Sequence, residues 1–256
     1  PVVLLTLSAL VVIGGLGFLV WQDLAEHRSF GKCSVYTRLV LVTTLGLLLI
    51  GWAVICLLEW NNPGTLGPMS AGDKLLNGLF QSVTLRTAGF VAIDQALMTD
   101  SGKAASMILM LVGGSSGSTA GGLKTVTFVV LILFILARIR GKSYVTVFRR
   151  TVPTEKVTDA MTLTSVMFFL ALFGGVFLCA TSPVDLTNGM FESISALATV
   201  GLTAGATPLL SLPAKLLIIV FMYFGRVGVL TLSLGFLSGD KAQERFRYAT
   251  TNLLIG

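Results

Sequence analysis

Apolar residues dominate five stretches of the chain, residues 4–20, 39–58, 106–137, 163–180 and 209–237, and polar residues collect between them. Each stretch is long enough to cross a hydrocarbon core of about 30 Å as a helix rising about 1.5 Å per residue. The pattern predicts an all-α membrane protein with five crossings, an odd number that places the ends on opposite sides. Two amphiphilic stretches, within 73–90 and 186–203, are too short to cross. They predict half-helices of about ten to twelve residues that enter the membrane and turn back.

The third apolar stretch has the opposite problem. From Gly102 to Arg140 a continuous helix would run about 58 Å, nearly twice the hydrocarbon thickness. A break is expected, and LVGGSSGSTAGGLKT (111–125) provides it. Two glycine pairs bracket a run of small polar residues there, a composition that suits irregular backbone and suits helix poorly. Such backbone survives at membrane depth only against protein or a water-filled path.

Composition agrees with a membrane protein. The chain is 54% hydrophobic and 12% charged, with a mean hydropathy of +0.88, where soluble domains carry about a quarter charged residues. The net charge of +6 is explained by where the cations lie. Arg28, Lys32 and Arg38 follow the first stretch; Arg138, Arg140, Lys142, Arg149, Arg150 and Lys156 follow the third; Lys241, Arg245 and Arg247 lie in the tail. These twelve of 18 basic residues share one face, which the positive-inside rule makes cytoplasmic. The charge is topological, and nucleic acid is excluded as a partner. Trp21 and Trp60 fall at stretch ends, where interfacial aromatics belong. Cys33, Cys56 and Cys179 have neither metal-ligand nor disulfide-framework spacing and read as structural. The start, Pro1-Val2-Val3-Leu4, lacks the basic region of a signal peptide and reads as a span whose upstream partner is missing.

The two half-helix segments are copies of one another. Residues 77–84 (NGLFQSVT) align with 188–195 (NGMFESIS), and after one inserted residue Thr87-Ala88-Gly89-Phe90 aligns with Thr199-Val200-Gly201-Leu202. Each copy of this parallel repeat reads span, half-helix, Thr-x-Gly-apolar, span. The extended Thr-x-Gly segment offers a row of backbone carbonyls, and glycine reaches the positive φ values that turn successive carbonyls to one axis. Carbonyls in that arrangement replace the hydration shell of potassium.

The stretches SVTLRTAGF (82–90), LVGGSSGSTAGGLKT (111–125), ISALATVGLT (194–203) and FMYFGRVG (221–228) resemble the KtrB-type potassium-translocating subunits of the Ktr/Trk/HKT superfamily. The resemblance covers the whole chain; IGGLGFLVWQDL (13–24) looks like the closing span of the family's second repeat and FRYATTNLLIG (246–256) like its C-terminus. It implies a pseudo-fourfold channel of four span–pore helix–span repeats, of which this chain carries the last two and a remnant of the second. The organisation expected is a closing span (1–24), a cytoplasmic linker (25–38), a pore repeat with a broken second span (39–140), a linker (141–157), the last pore repeat (158–237) and a cytoplasmic tail (238–256).

The resemblance assigns the ion-facing filter to Thr87, Ala88, Gly89 and Phe90 in one loop and Thr199, Val200, Gly201 and Leu202 in the other, with K⁺ at their carbonyls. Neither loop matches Thr-Val-Gly-Tyr-Gly. It assigns the gate to Gly113, Gly114, Ser115, Ser116, Gly117, Ser118, Thr119, Ala120, Gly121 and Gly122, with Lys124 and Arg226. Arg226 also stands out on physical grounds: an intramembrane arginine costs at least roughly 2.5 to 3.5 kcal/mol on insertion scales and belongs against a cavity or a partner. Lys124 reads as pairing with a carboxylate or as a movable plug. Arg86 reads as structural, paired with Glu192 or an outer carboxylate.

The function expected is K⁺ uptake across the bacterial plasma membrane, without enzymatic activity or a cofactor in this chain and with Na⁺ as a candidate coupling ion. The partners expected are a second copy of the full-length subunit, a nucleotide-binding regulatory ring of the KtrA/TrkA type, and membrane lipid. A phosphate-binding loop at 117–125 fails because Leu123 separates Gly122 from Lys124-Thr125. A helix-packing surface of small residues is the other reading of that stretch. An alternating-access secondary transporter is the rival for the whole chain, and it would favour inverted repeats over the parallel ones seen here.

Overall fold

The computed structural model describes residues 1–227. The remainder of the last apolar stretch and the tail of 238–256, with Lys241, Arg245 and Arg247, lie outside the described residues.

The first apolar stretch forms α1 (Val2–Leu16) and α2 (Phe18–His27), which meet at a bend of 88°. One unbroken span was expected here. The bend sits at Gly17, whose φ of +78° and crowded surroundings leave no room for a side chain. A Cβ at Gly17 would lie 2.8 Å from Ser115 Oγ and 2.9 Å from the Ser116 carbonyl.

Ser34 caps the start of α3 (Val35–Glu59) by accepting from the Thr37 amide at 3.2 Å, a contact worth about 1 kcal/mol. α3 ends at Glu59, a fully buried carboxylate. It accepts hydrogen bonds from Asn62 Nδ2 (2.6 Å), Thr65 Oγ1 (2.7 Å), the Thr99 amide (3.0 Å) and Thr99 Oγ1 (2.6 Å). Buried carboxylates are tolerated when satisfied in this way. The segments around Thr65 and Thr99 are thereby anchored to the end of α3.

The short helix α4 (Ala71–Thr84) is capped by Ser70, and a turn then leads to α5 (Asp100–Leu111), capped by Thr99. The broken third stretch resumes as α6 (Thr125–Ile139). A two-residue hairpin of β1 (Thr146–Val147) and β2 (Arg150–Thr151) follows. The fold is otherwise helical, as expected; Phe148 and Arg149 turn this one hairpin with φ of +45° and +66°, the pattern of a tight two-residue hairpin. Then come α7 (Thr154–Thr181), the short α8 (Leu186–Leu197), capped by Asp185, and α9 (Leu212–Val227). Among the described residues α3 and α7 are each long and apolar enough to cross a membrane, and the bent pair α1–α2 passes the same test together.

The order α3–α4–α5 matches α7–α8–α9, and so does the packing. Ser82 on α4 donates to the Leu48 carbonyl of α3 at 2.9 Å, and Ser193 on α8 donates to the Ala171 carbonyl of α7 at 2.9 Å. Gly78 faces Cys56 and Gly189 faces Cys179, with no room for a Cβ at either glycine. The same spacing separates Leu48 from Ala171 and Cys56 from Cys179. Two cysteines that looked unrelated therefore do the same packing job, consistent with their structural reading. The main core gathers Ile55, Leu85, Met110, Phe191, Leu197, Val200, Leu202 and Phe221 where α5, α8 and α9 converge. Lys103 on α5, also buried, crosses between the halves to Asn188 Oδ1 on α8 at 3.0 Å.

Candidate functional site

α4 and α8 each end in a turn that leads into the Thr-x-Gly segment. The Ala88 amide donates to the Thr84 carbonyl at 3.1 Å, and the Val200 amide to the Ser195 carbonyl at 2.8 Å. The inserted residue of the second copy is absorbed in this turn. Thr87 and Thr199 both adopt left-handed backbone, φ +64° and +56°, and so do Gly89 and Gly201, φ +76° and +89°. A threonine in that region is uncommon and persists where surrounding contacts impose it. Both copies carry it at the same place.

Hydroxyls fix the far end of each segment. Thr84 Oγ1 donates to the Phe90 carbonyl at 2.7 Å, and Ser195 Oγ to the Leu202 carbonyl at 2.6 Å. The next position on each helix face holds the chain beyond. Gln81 Nε2 donates to Gln95 Oε1 at 2.6 Å, whereas Glu192 accepts from the Thr207 hydroxyl at 2.9 Å and from the Thr203 hydroxyl. Glu192 is thus occupied by threonines, and Arg86 is not its partner.

The two segments face each other. A Cβ at Gly89 would strike the Val200 carbonyl, while one at Gly201 would come no nearer than 3.9 Å, to Gly89 Cα. Thr87 Oγ1 is buried and has no hydrogen-bond partner among the described residues. The C-termini of α4 and α8, which carry the negative ends of their helix dipoles, both open onto these segments. The arrangement is a set of backbone carbonyls and an unpaired hydroxyl at two negative helix ends, a chemistry suited to a desolvated monovalent cation.

The break between α5 and α6 forms a closed loop against this assembly. Its neck is zipped: the Gly113 amide donates to Leu123 O (2.9 Å), the Leu123 amide to Leu111 O (3.0 Å) and the Thr125 amide to Gly114 O (3.0 Å). Its tip docks into the bend at Gly17. The Ser115 amide donates to Gly15 O at 3.0 Å, the Phe18 amide to Gly117 O at 3.2 Å, Ser115 Oγ to Leu16 O, and Tyr36 OH to Ser116 O at 3.1 Å. At the other side Gly121 lies so close to Thr199 Oγ1 and Ala198 O that a Cβ would collide with both. The loop therefore touches the first threonine of the second Thr-x-Gly segment, and it meets the first segment through Arg86, which donates to Gly113 O.

Two cations complete the loop. Arg226 on α9 donates from Nη1 to Thr119 O at 2.6 Å. Lys124 Nζ donates to Ala120 O at 2.6 Å; it has no carboxylate partner among the described residues and braces the loop it follows. A cavity of about 640 Å³ lined by Thr199, Gly201, Leu202, Met222 and Arg226 runs from the second segment down to this arginine. Sequence reasoning thus grouped residues that the fold brings together. It missed the docking bend at Gly17, for which three glycines within 14–17 were the available signal, and the roles of Tyr36 and Thr125, for which there was none. It also gave Arg86 a carboxylate partner, whereas its Nη2 donates to Gly113 O at 2.8 Å and to Thr125 Oγ1 at 3.1 Å.

A family described as the TrkH cation transport proteins matches residues 1–244. The chain is 38% identical over 258 residues to the potassium/sodium uptake protein NtpJ of Enterococcus hirae, covering 99% of this chain and 57% of that protein. It is 37% identical to the Ktr system potassium uptake protein B of Bacillus subtilis (96% of this chain, 55% of that protein) and 40% identical to that of Vibrio alginolyticus (91% and 52%). The chain spans about half the length of these relatives. The crystal structure of the potassium transporter TrkH from Vibrio parahaemolyticus superposes with a TM-score of 0.70 at 20% identity, over 91% of this chain and 51% of that one, a likeness of fold. The chain is a multi-pass membrane protein of a transporter family, not an enzyme, and it belongs to the TrkH cation transport proteins.

Proposed function

We propose that this chain forms half of a K⁺ uptake pathway in the plasma membrane, in which ions shed water onto the carbonyls of two filter segments above a gate. The observation that carries the reading is the contact between Gly121 of the 113–122 loop and the left-handed Thr199. An ion leaving the segments meets that loop next. The unpaired Thr87 hydroxyl and the carbonyls of Thr87, Ala88, Thr199 and Val200 are the ligands offered to K⁺. The carbonyls of Phe90 and Leu202 already accept hydroxyls and serve more to anchor the segments than to bind.

In this reading α3–α4–α5 and α7–α8–α9 are two of four span–pore helix–span repeats around one pseudo-fourfold axis. The relatives' names support potassium as the substrate, and one of them also names sodium. The 113–122 loop obstructs the path at rest, held by Arg226. A second copy of the subunit and a cytoplasmic nucleotide-binding ring are the partners, with the basic cytoplasmic segments as their docking surface.

The test is cation uptake in a potassium-uptake-deficient strain that expresses the complete polypeptide. Uptake of K⁺ and Rb⁺ is expected to exceed that of Na⁺, and removal of residues 115–121 is expected to raise it. Preference for Na⁺ would sink the substrate, and a folded deletion variant that no longer transports would sink the gate.

A further inference from the structure

Arg86 has no place in that scheme, although few residues of the chain are so unusually held. Its guanidinium lies behind the first filter segment, walled by Val11, Val12, Gly15, Leu48 and Val83. It makes no salt bridge among the described residues, and its Nε is buried without a partner. A cation in that position is held by dipoles alone, here the Gly113 carbonyl and the Thr125 hydroxyl, which also donates to Gly113 O at 3.2 Å. Burying charge on such terms is costly, so the contact replaces something the fold otherwise lacks.

What it replaces is a stretch of helix. α5 stops at Leu111, so the Gly113 carbonyl has no amide one turn on to bond it. The second copy provides an internal comparison. At the common spacing that pairs Thr87 with Thr199, Arg86 corresponds to Ala198 and Gly113 to Gly225. There α9 runs unbroken through Gly225 to Val227, and the Ala198 position is buried and apolar. The arginine accompanies the break, and it is absent where the described helix continues past the equivalent point.

Arg86 directly precedes Thr87, the left-handed residue that starts the filter segment. Its side chain reaches both ends of the loop, Gly113 on entry and Thr125 on exit. We infer that Arg86 is a positioning residue that couples the first filter segment to the neck of the gating loop, so that the neck stays fixed while only the tip, 115–121, moves. This inference rests on the proposed gate. Filter geometry and gate position are then linked, because the neck cannot shift without stripping a buried guanidinium of its acceptors.

The experiment compares Arg86→Met, Arg86→Lys, Thr125→Val and the Arg86→Met/Thr125→Val pair in the complete polypeptide, with Rb⁺ and Na⁺ uptake measured separately. Correct folding is checked by size exclusion in detergent. Losing a charged hydrogen bond is expected to lower the Rb⁺/Na⁺ uptake ratio roughly ten-fold in Arg86→Met. Arg86→Lys, with one compact donor group in place of the fork, falls between. Thr125→Val shifts the ratio the same way but less, and the pair is no worse than Arg86→Met alone, the signature of one shared interaction. An unchanged ratio in folded Arg86→Met, or additive effects in the pair, overturns the coupling. The 115–121 deletion, which keeps the neck, separates the two readings. If it leaves flux unchanged the gate itself fails; if it raises flux while Arg86→Met leaves the ratio unchanged, only the coupling fails.

Discussion

The Arg226 guanidinium donates to the Thr119 carbonyl at 2.6 Å, so the last described helix holds the tip of a loop that belongs to the other half of the chain. A hydrogen bond from a charged donor contributes about 1.5–3 kcal/mol. Arg226→Ala is therefore expected to raise K⁺ flux by roughly ten-fold or more, read as the initial rate of Rb⁺ uptake. A folded variant with wild-type flux would make Arg226 a purely structural residue.

Ser115 holds the opposite side of the tip, where its hydroxyl donates to Leu16 O at the bend. Ser115→Ala removes one neutral hydrogen bond, about 1 kcal/mol, and is expected to raise flux by roughly five-fold. Tyr36→Phe, which loses the 3.1 Å bond to Ser116 O near the surface, is expected to do less. The reverse ranking in the same uptake assay would move the anchor from the bend to Tyr36.

The two filter glycines respond differently to a methyl group. At Gly89 a Cβ strikes the Val200 carbonyl, so Gly89→Ala displaces the facing segment and is expected to abolish K⁺ selectivity. At Gly201 the space is open and only the left-handed backbone opposes alanine, at about 1–2 kcal/mol. Gly201→Ala is expected to retain partial selectivity, and equal effects in ion-competition uptake would contradict the facing geometry.

Gly121 is where the loop meets the second Thr-x-Gly segment, the proposed filter. Gly121→Ala forces a methyl against the Thr199 hydroxyl and the Ala198 carbonyl, the latter backbone that cannot give way cheaply. The loop is expected to unseat and flux to rise. Flux that falls, with folding intact, would mean the methyl plugs the path instead of unseating the loop.

Much of this was legible in the sequence for a geometric reason. Excess length forced the break in the third apolar stretch, and the pairing of 77–84 with 188–195 carried the two half-helices. The bend at Gly17 was hidden because 4–20 has the right length for one span, and its cause is a tertiary contact with Ser115 and Ser116. Arg86 was misread because a lone arginine invites a search for a carboxylate. Its partners, Gly113 O and Thr125 Oγ1, are dipoles that exist as acceptors only once α5 has stopped. The pairing of Cys56 with Cys179 emerged only from what each touches, since the connections between span and half-helix differ in length.

The Phe18 amide that takes the Gly117 carbonyl is the first N–H of α2. Seen from α2, the loop tip is a helix cap, borrowed from a segment about a hundred residues away. If the tip withdraws as the proposed gate requires, that helix loses an acceptor for its leading amide and its start is expected to fray. The second half of α2 carries Asp23, which accepts from the amide and hydroxyl of Ser34 at 2.9 and 2.7 Å, and Ser34 caps the start of α3. A displacement of the loop tip thus has a mechanical route to the basic segment between α2 and α3, and a force applied there has the same route back.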